Sequence, residues 1–277
     1  MSESSVDLDA YCQAIGYHGL RAPTLATLRA LQAAHAMAIP FENLDVLAGQ
    51  VVALDLGSLQ RKLLGCGRGG FCFEHNTLFW QVLKQLGFKV NALAARVRRR
   101  VPAGQTTPLG HMALCVDLDD VHYLVDVGFG GLTLTTPLSI DATEAQATTH
   151  EACRIVKAHD GHLLQAELAG NWEPLYQFEL RAYYAVDFEV WNWFSCTAPK
   201  SPFVNTLMVA RTEPGRRHAL LGNRYTEHML GGASTSTLWS SAAELRAVLE
   251  ARFGIQVPDS QVLNAKLQAI ATASGPL

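Results

Sequence analysis

Long apolar runs are missing from this sequence. No window approaches the roughly 18 uninterrupted apolar residues of a membrane-spanning helix. The first ten residues, MSESSVDLDA, are polar and acidic, whereas a secretory leader is basic and then apolar. We therefore expect a cytoplasmic protein without a membrane partner.

A strong excess of either charge is also absent. The 277 residues include 22 Lys and Arg against 25 Asp and Glu, a formal net charge of -3. A balanced chain of this kind has no general attraction for polyanions, so nucleic acid is not an expected partner. With 49% hydrophobic residues, the chain can form a well-buried core and two or three subdomains. Nothing in the composition predicts an oligomeric state.

Cysteines are few and have no paired spacing. The chain has six of them and no CxxC pair, which does not match a disulfide scaffold and suits a reducing compartment. Most are therefore expected to be buried, reduced and inert. Cys66 and His75 stand close together in sequence, but no second pair of ligands accompanies them, so we predict no metal site.

The first part of the chain has a helical pattern. Up to about residue 87, apolar residues recur every three or four positions. Asp7 and Thr24 are predicted helix caps, and a longer helix is predicted from about Phe73 to Gly87. Cys72 is then expected at or beside the N-terminus of that helix.

The rest of the chain is predicted to be mostly strands. Between about Val90 and Leu180 the apolar period is two, and strands are predicted around RIVKA, LLQAEL and LYQFEL. The aromatic-rich stretch DFEVWNWF, residues 187–194, is interpreted as a connecting segment. Residues 241–254 are predicted to form a helix capped by Ser241, with a glutamate three residues later completing a capping box.

The clearest hairpin covers residues 111–130, HMALCVDLDDVHYLVDVGFG. Apolar residues alternate on both sides of a turn at 119–120, which pairs 118 with 121, 116 with 123, 114 with 125 and 112 with 127. This register places the apolar side chains on one face. His111 and Asp126 become diagonal neighbours on the other face, about 7 Å apart and within reach of a hydrogen bond.

One cysteine follows two glycines and an aromatic residue, in RGGFCFEHN at residues 68–76. A reactive thiolate is stabilised by the positive end of a helix dipole. It also needs a base, and the base needs an acceptor that holds its tautomer. Cys72, His111 and Asp126 supply these three groups, although a chain with six cysteines and ten histidines offers many such triples.

Four more stretches are distinctive besides RGGFCFEHN: HAMAIPFENLDV (35–46), HYLVDVGFGG (122–131), YCQAIGY (11–17) and NWFSCTAPKSPFVNTLMVAR (192–211). Together these five stretches resemble motifs of the arylamine N-acetyltransferase family, of prokaryotic type. The resemblance implies an α+β fold with several subdomains and a Cys-His-Asp core like that of cysteine proteases and transglutaminases. A helical bundle (1–89) would carry the nucleophile, a β-barrel (90–197) would carry the histidine and aspartate, and an α/β lid (198–277) would follow.

The resemblance also implies a function. Acetyl-CoA would donate an acetyl group to Cys72, with His111 as base and Asp126 as its acceptor, and no metal would be needed. An arylamine or arylhydrazine would then take the acetyl group on nitrogen, as in xenobiotic N-acetylation, with O-acetylation of N-hydroxyarylamines as a further reaction. Gly110 departs from the pattern, because many family members have threonine at that position.

Substrate-binding residues follow from the same resemblance. The phenylalanines could be walls of the acceptor pocket or simply core residues. The glycines could let the pantetheine arm of CoA approach the backbone, or form the turn at the end of a strand. The substrate-binding residues implied are Phe41, Phe71, Phe129, Gly128 and Gly130.

Three further features have two interpretations each. Arg68 and Glu42 are predicted to form a buried ion pair that supports the catalytic loop, rather than to take part in catalysis. RVRRR, residues 96–100, could meet CoA phosphates, although a solvated strand end is the commoner explanation. His35 is expected to be a packed helix residue, not a second base.

Two other functions stay open. The same triad could catalyse hydrolysis or transglutaminase-like amide exchange, because the chemistry of an activated thiol is shared. The stretches PFENL and VDVGFG do not fit that alternative. A catalytically silent protein that binds small molecules is the second alternative, and the intact triad argues against it.

Overall fold

The computed structural model describes residues 5–102 and 104–273, and the first part of it is helical. Side-chain oxygens of Asp7 and Thr24 accept hydrogen bonds at the starts of the first two helices, as predicted. The fifth helix begins at Cys72, which confirms the predicted position of the cysteine at a helix N-terminus. The helices are α1 (Leu8–Ala14), α2 (Leu25–Ala38), α3 (Leu44–Leu47), α4 (Leu56–Gln60), which continues into a π-helical turn (Arg61–Gly65), and α5 (Cys72–Gln85).

Within the described residues, seven antiparallel strands follow and form a barrel-like sheet, including the strands predicted from RIVKA, LLQAEL and LYQFEL. The order across the sheet is β4-β3-β2-β1-β7-β6-β5. The strands are β1 (Lys89–Val97), β2 (Leu109–Leu118), β3 (Val121–Val125), β4 (Leu138–Ser139), β5 (Cys153–Ala158), β6 (Gly161–Leu168) and β7 (Asn171–Phe178).

Gln146 joins the two edges of this sheet. Its backbone exchanges two hydrogen bonds with Cys153 in β5, at 2.7 and 3.0 Å. Its side-chain amide pairs with the backbone of Ser139 in β4, at 2.8 and 2.9 Å. Because unpaired strand edges leave backbone groups unsatisfied, one residue that serves both edges nearly closes the barrel.

The hairpin of β2 and β3 has the predicted register over most of its length. Leu118 pairs with Val121, and the ladder continues as predicted until it ends at Val125. The predicted pairing of residues 112 and 127 does not form. The backbone N–H groups of Val127 and Gly128 bond instead to side chains, those of Asn76 and Asp126.

The prediction of a connecting segment at residues 187–194 is wrong, because this stretch lies within a helix, α6 (Ala185–Thr197). Asp187 starts the helix by accepting a hydrogen bond from the N–H of Tyr184 at 2.9 Å. Buried side chains recur at helical spacing, at Phe188, Asn192 and Ser195. Valine and aromatic residues between them are typical of strands and hide this period in the sequence. A short helix, α7 (Pro202–Asn205), comes next.

The C-terminal part is an antiparallel sheet of four strands covered by two helices. Ser241 caps α8 as predicted, but Glu244 accepts a hydrogen bond from the N–H of Ser240 instead of the N–H of Ser241. None of the helices within the described residues is long and apolar enough to cross a bilayer. The elements are β8 (Met208–Glu213), β9 (Arg216–Leu221), β10 (Arg224–Met229), β11 (Ser234–Leu238), α8 (Ala242–Phe253) and α9 (Gln261–Thr272).

A short extended segment, residues 40–42, ties the helical part to the C-terminal sheet. Phe41 exchanges two backbone hydrogen bonds with Ala210 in β8, at 2.9 and 3.0 Å. On its other side, the N–H of Glu42 donates to the carbonyl oxygen of Gly70 at 2.8 Å. The loop before Cys72 is therefore joined through this segment to β8. The division of the chain at residues 89 and 197 stays a prediction.

Gly69 packs directly against this segment. A Cβ atom at position 69 would lie 1.8 Å from the carbonyl oxygen of Pro40, so the Gly69→Ala substitution forces the two backbones apart. We expect a loss of stability of about 1–3 kcal/mol, measured as a lower midpoint of unfolding in urea. Gly65→Ala is the matched control, because a Cβ atom there meets nothing within 4 Å. Equal midpoints for the two variants would contradict this explanation.

Candidate active site

Cys72 is the first residue of α5, and its side chain is buried among the ends of several elements. Its Sγ lies 3.8 Å from the carbonyl oxygen of Gly110. At this end of the helix the N–H of Phe71 donates to Glu74 Oε2 at 3.0 Å, and Lys62 donates to Glu74 Oε1 at 2.6 Å. These bonds fix the N-terminus of α5 around the sulfur. The positive end of the helix dipole therefore lies next to Cys72.

His111 and Asp126 form a buried hydrogen bond on the barrel side of the sulfur. Nε2 of His111 lies 2.8 Å from Oδ2 of Asp126, and both side chains are almost fully excluded from solvent. The side chain of His111 also lies beside the Cys72 thiol and interacts with it, and both line the same cavity. Because Nε2 is bonded to the carboxylate, Nδ1 is the nitrogen that remains for the sulfur.

The electrostatics of the pair favour a charged histidine. Burial alone would lower the pKa of His111, but the charge and hydrogen bond of Asp126, together with Cys72, raise it to about 10. Burial has the opposite effect on a carboxyl group and would raise the pKa of Asp126. His111 and further hydrogen-bond donors nevertheless hold that pKa below its usual value. An imidazolium beside the sulfur is the partner that a cysteine thiolate needs.

Asn76 supports the carboxylate, and sequence reasoning missed it. Its side-chain amide donates to Asp126 Oδ1 at 2.9 Å and to the carbonyl oxygen of Met112 at 2.8 Å. Its Oδ1 accepts the N–H of Val127 at 3.1 Å. The available signal was the spacing from Cys72, since residues four apart lie on the same face of a helix.

Arg68 and Glu42 form the predicted ion pair. Nη2 of Arg68 lies 2.7 Å from Glu42 Oε1 and 2.8 Å from Asp45 Oδ1. The other oxygen of Glu42 accepts the N–H of Leu44 at 2.6 Å. Lys62 also pairs with Asp45, at 2.6 Å, so the network extends to the start of α5. Asp45 was not predicted, and the supporting role of the network stays a prediction.

Cys72 and His111 open into a cavity of about 1720 Å³. Of the residues implied to bind substrate, Phe41, Gly128, Phe129 and Gly130 line it. The ring of Phe129 stands edge-on to His111, with the ring centres 5.1 Å apart.

Phe71 is the exception among these residues. Its side chain is completely buried and packs against Phe73 and Phe203, and the cavity lining does not include it. The expectation that Phe71 binds substrate therefore needs correction: its ring belongs to the apolar core beneath Cys72.

Phe203 lines the cavity and was missed in the sequence. Its ring lies 6.4 Å from that of Phe41, between ring centres. Asn43 fixes its backbone, because the amide of Asn43 donates to the carbonyl oxygens of Phe203 and Thr206, both at 2.8 Å. Oδ1 of Asn43 also accepts the N–H of Met208 at 2.9 Å. These contacts join residues about 160 positions apart, which local sequence patterns do not reveal.

Gly128 lets the barrel approach α5. A Cβ atom at this position would lie 2.9 Å from the Cα atom of Cys72 and 3.0 Å from the side chain of Asn76. Only a residue without a side chain allows His111 and Asp126 to come this close to the sulfur. The glycine is therefore required for close packing, whatever it does for a substrate.

Positive charges also line the cavity. Arg99 and Arg100, from the RVRRR stretch, line it together with Arg216 and Arg224. Arg96, from the same stretch, is directed to the carbonyl oxygen of Thr107. The stretch is thus divided between the cavity wall and a neighbouring loop, and contact of its arginines with phosphates stays a prediction.

The neighbouring cysteine and histidines lie elsewhere. His75 bonds to the carbonyl oxygen of Pro40 at 3.2 Å and to His35 at 2.9 Å inside the helical core, whereas Cys66 is exposed. His35 is packed within α2, as predicted. Among the described residues no three His, Cys, Asp or Glu side chains are grouped to hold a metal ion. All six cysteines are described, and none forms a disulfide.

A helix that presents a cysteine to a histidine–carboxylate pair is the arrangement of thiol enzymes that form covalent acyl intermediates. Residues 24–262 match the N-acetyltransferase family. The chain is 41% identical over 259 residues to the arylamine N-acetyltransferase of Mycolicibacterium smegmatis, covering 92% of this chain and 94% of that one. This chain belongs to the arylamine N-acetyltransferase family, an acyltransferase family, as the motifs indicated.

Two further relatives agree with this placement. The chain is 37% identical to an arylamine N-acetyltransferase / N-hydroxyarylamine O-acetyltransferase of Salmonella typhimurium, covering 91% of this chain and 90% of that one. The solved structure of Mycobacterium marinum arylamine N-acetyltransferase in complex with CoA superposes with a TM-score of 0.91 at 39% identity, covering 95% of this chain and 99% of that one. The predicted α+β fold is thereby confirmed.

Removing the charge of Asp126 tests the electrostatics of the site. His111, with its pKa of about 10, keeps its proton below that pH and loses it as the pH rises through that value. In Asp126→Asn, burial acts without the opposing charge, so the cation is lost at neutral pH. We expect the rate at which iodoacetamide alkylates Cys72 at pH 7.5 to fall by about tenfold or more.

Asp117→Asn is the control, because Asp117 forms its ion pairs with Lys89 and His122, away from the site. Circular dichroism establishes that both variants are folded. An unchanged profile of alkylation rate against pH in a folded Asp126→Asn variant would show that Asp126 does not maintain the charge of His111.

Proposed function

We propose that this chain transfers an acetyl group from acetyl-CoA to the nitrogen of arylamines or arylhydrazines through an acetyl thioester on Cys72. One observation carries the proposal: Cys72, at the N-terminus of α5, contacts the His111–Asp126 pair inside a cavity with apolar and basic walls. Family membership supplies the reaction class.

In the first step the Cys72 sulfur, as a thiolate, attacks the thioester carbonyl carbon of acetyl-CoA. A new S–C bond forms while the carbonyl electron pair moves to oxygen. When the carbonyl re-forms, the bond from carbon to the CoA sulfur breaks, and His111 gives its proton to the departing thiolate. Acetyl-Cys72 and free CoA result.

In the second step the amine nitrogen attacks the carbonyl carbon of acetyl-Cys72. The neutral His111 accepts a proton from that nitrogen, and the bond from carbon to the Cys72 sulfur breaks. The products are an amide and the original pair of thiolate and imidazolium. Asp126 holds Nε2 of His111 throughout and stabilises the cation each time it forms.

The two walls of the cavity suit the two substrates. Phe41, Phe129 and Phe203 offer apolar surface to a neutral aromatic amine close to Cys72 and His111. Arg99 and Arg100 offer positive charge to the phosphates of CoA, in support of the sequence hypothesis for this stretch. An N-hydroxyarylamine would use the same acetyl thioester with oxygen as the attacking atom, a reaction for which the Salmonella typhimurium relative is named.

The proposal extends to the setting of the protein. Six reduced cysteines support a cytoplasmic location. The balanced net charge of -3 supports small-molecule substrates rather than nucleic acid or an acidic membrane surface. Hydrolysis and amide exchange by the same residues are the competing functions. Formation of acetyl-Cys72 from acetyl-CoA distinguishes acetyl transfer from both.

The decisive measurement is intact-protein mass spectrometry after the pure protein is mixed with acetyl-CoA and no acceptor. We expect one acetyl adduct that maps to Cys72 and that disappears when an arylamine is added, with the corresponding acetamide as product. Cys72→Ala should give no adduct, because the sulfur that accepts the acetyl group is gone.

Cys66→Ala is the matched control, since Cys66 is exposed and lies six residues away; it should retain the full adduct. If Cys72 reacts with iodoacetamide but never becomes acetylated, acetyl-CoA is not the donor. Hydrolysis or amide exchange by the same residues would then become the favoured function.

A further inference from the structure

Helix α6 presents an unusually apolar row of side chains to solvent. Val186, Val190, Trp193 and Phe194 are each more than half exposed, at 61, 61, 60 and 52%. The opposite face of the helix already packs into the core through Phe188. A contiguous apolar surface that the core does not require marks a binding site more often than chance.

Only part of this row faces the active-site cavity. Val190 and Phe194, four residues apart and so on one face of the helix, line the cavity that contains Cys72. Val186 and Trp193, which are similarly exposed, do not line it. The apolar wall of the active site therefore continues outward onto one face of α6.

The position of this face is fixed by buried hydrogen bonds. The amide of Asn192 donates to the carbonyl oxygen of Val52 at 2.8 Å. The hydroxyl of Ser201 donates to the carbonyl oxygen of Ser195 at 2.6 Å, and Ser201 also caps α7, the helix that carries Phe203. The outer wall on α6 and the inner wall at Phe203 thus form one preorganised surface.

Charge distinguishes this face from the rest of the cavity. The side chains that α6 contributes are Val190, Trp191, Phe194 and Ser195, none of which is charged, and the nearest cation along the chain is Lys200, which lines the cavity three residues after the helix ends. The arginines lie instead on β9, on β10 and in the loop after β1. An anionic ligand gains nothing on α6, whereas a neutral apolar group buries surface there.

The direction from which the amine approaches acetyl-Cys72 indicates that the amine is the substrate that reaches α6. Cys72 is closed in by its own helix and by the backbone of Gly128, so an amine must approach the acetyl group from the open cavity. Its nitrogen then points inward and its far end points towards the mouth. At about 1720 Å³, the cavity exceeds the roughly 300–1,000 Å³ of a typical small-molecule site, which leaves room for an extended acceptor.

We propose that Val190 and Phe194 form an outer acceptor subsite that binds an apolar extension of the arylamine, such as an alkyl chain or second ring opposite the amino group. This inference rests on the proposed acetyl transfer. We therefore expect a higher kcat/KM for 4-butylaniline than for aniline, and we expect the difference to depend on Val190 and Phe194.

The test compares kcat/KM for 4-butylaniline and for aniline at saturating acetyl-CoA. In the Val190→Ser/Phe194→Ser variant we expect the ratio of the two values to fall by about tenfold, since several buried CH₂ groups lose their contacts. The change should appear in KM for 4-butylaniline, with kcat and the aniline reaction unchanged. Phe194→Leu, which keeps an apolar side chain, should retain most of the preference.

Val186→Ser/Trp193→Ser is the matched control, because it removes similarly exposed apolar side chains from the same helix without touching the cavity. An equal change of the ratio in both double variants, or an equal loss for both amines, would reduce α6 to a structural element and overturn the inference. A loss specific to hexanoyl-CoA as donor, with aniline as acceptor, would assign the subsite to the acyl chain instead.

Acetylation of the wild-type protein separates this inference from the proposed function. If mass spectrometry detects no acetyl-Cys72, the proposed function fails and the comparison of amines is not the cause. If acetyl-Cys72 forms and reacts equally well with both amines in every variant, only the outer subsite is overturned.

Discussion

The buried charge of Asp126 is the constraint around which this structure is organised. An isolated carboxylate in an apolar interior is very unfavourable, so it must be paired and fully hydrogen-bonded. Its partners come from three places: His111 on β2, Asn76 on α5 and the backbone of Gly128 beyond β3. Satisfying one carboxylate therefore fixes the catalytic helix against the barrel-like sheet and ends the β3 ladder where it does.

A second set of contacts connects the helical part of the chain to the C-terminal sheet. The segment at residues 40–42 bonds to the loop before Cys72 on one side and to β8 on the other. Asn43, next in the chain, fixes α7 and with it Phe203. The apolar side of the cavity is thus built from backbone connections between distant segments. This rigidity suits a reaction in which two different substrates must reach the same sulfur in turn.

The cavity separates its charges in a way that matches two-step transfer. A donor with several phosphates and a neutral aromatic acceptor need different surfaces, and the arginines come from β9, β10 and the loop after β1, whereas α6 contributes uncharged side chains. In the proposed transfer the acetyl group stays on Cys72 between the two steps, so the substrates need not be bound together. One cavity can therefore serve both through different walls, at a single nucleophile.

Local chemistry in the sequence determined the helix caps, the position of Cys72, the hairpin register around residues 119–120 and the contact of His111 with Asp126. Each depends on periodicity or on residues near in sequence. Tertiary structure alone decided that Phe71 is core, that residues 187–194 are helical, and that Asn43 and Phe203 belong to the site. The reason is physical: a side chain's role in a cavity depends on what packs against it, and here those partners lie up to about 160 residues away.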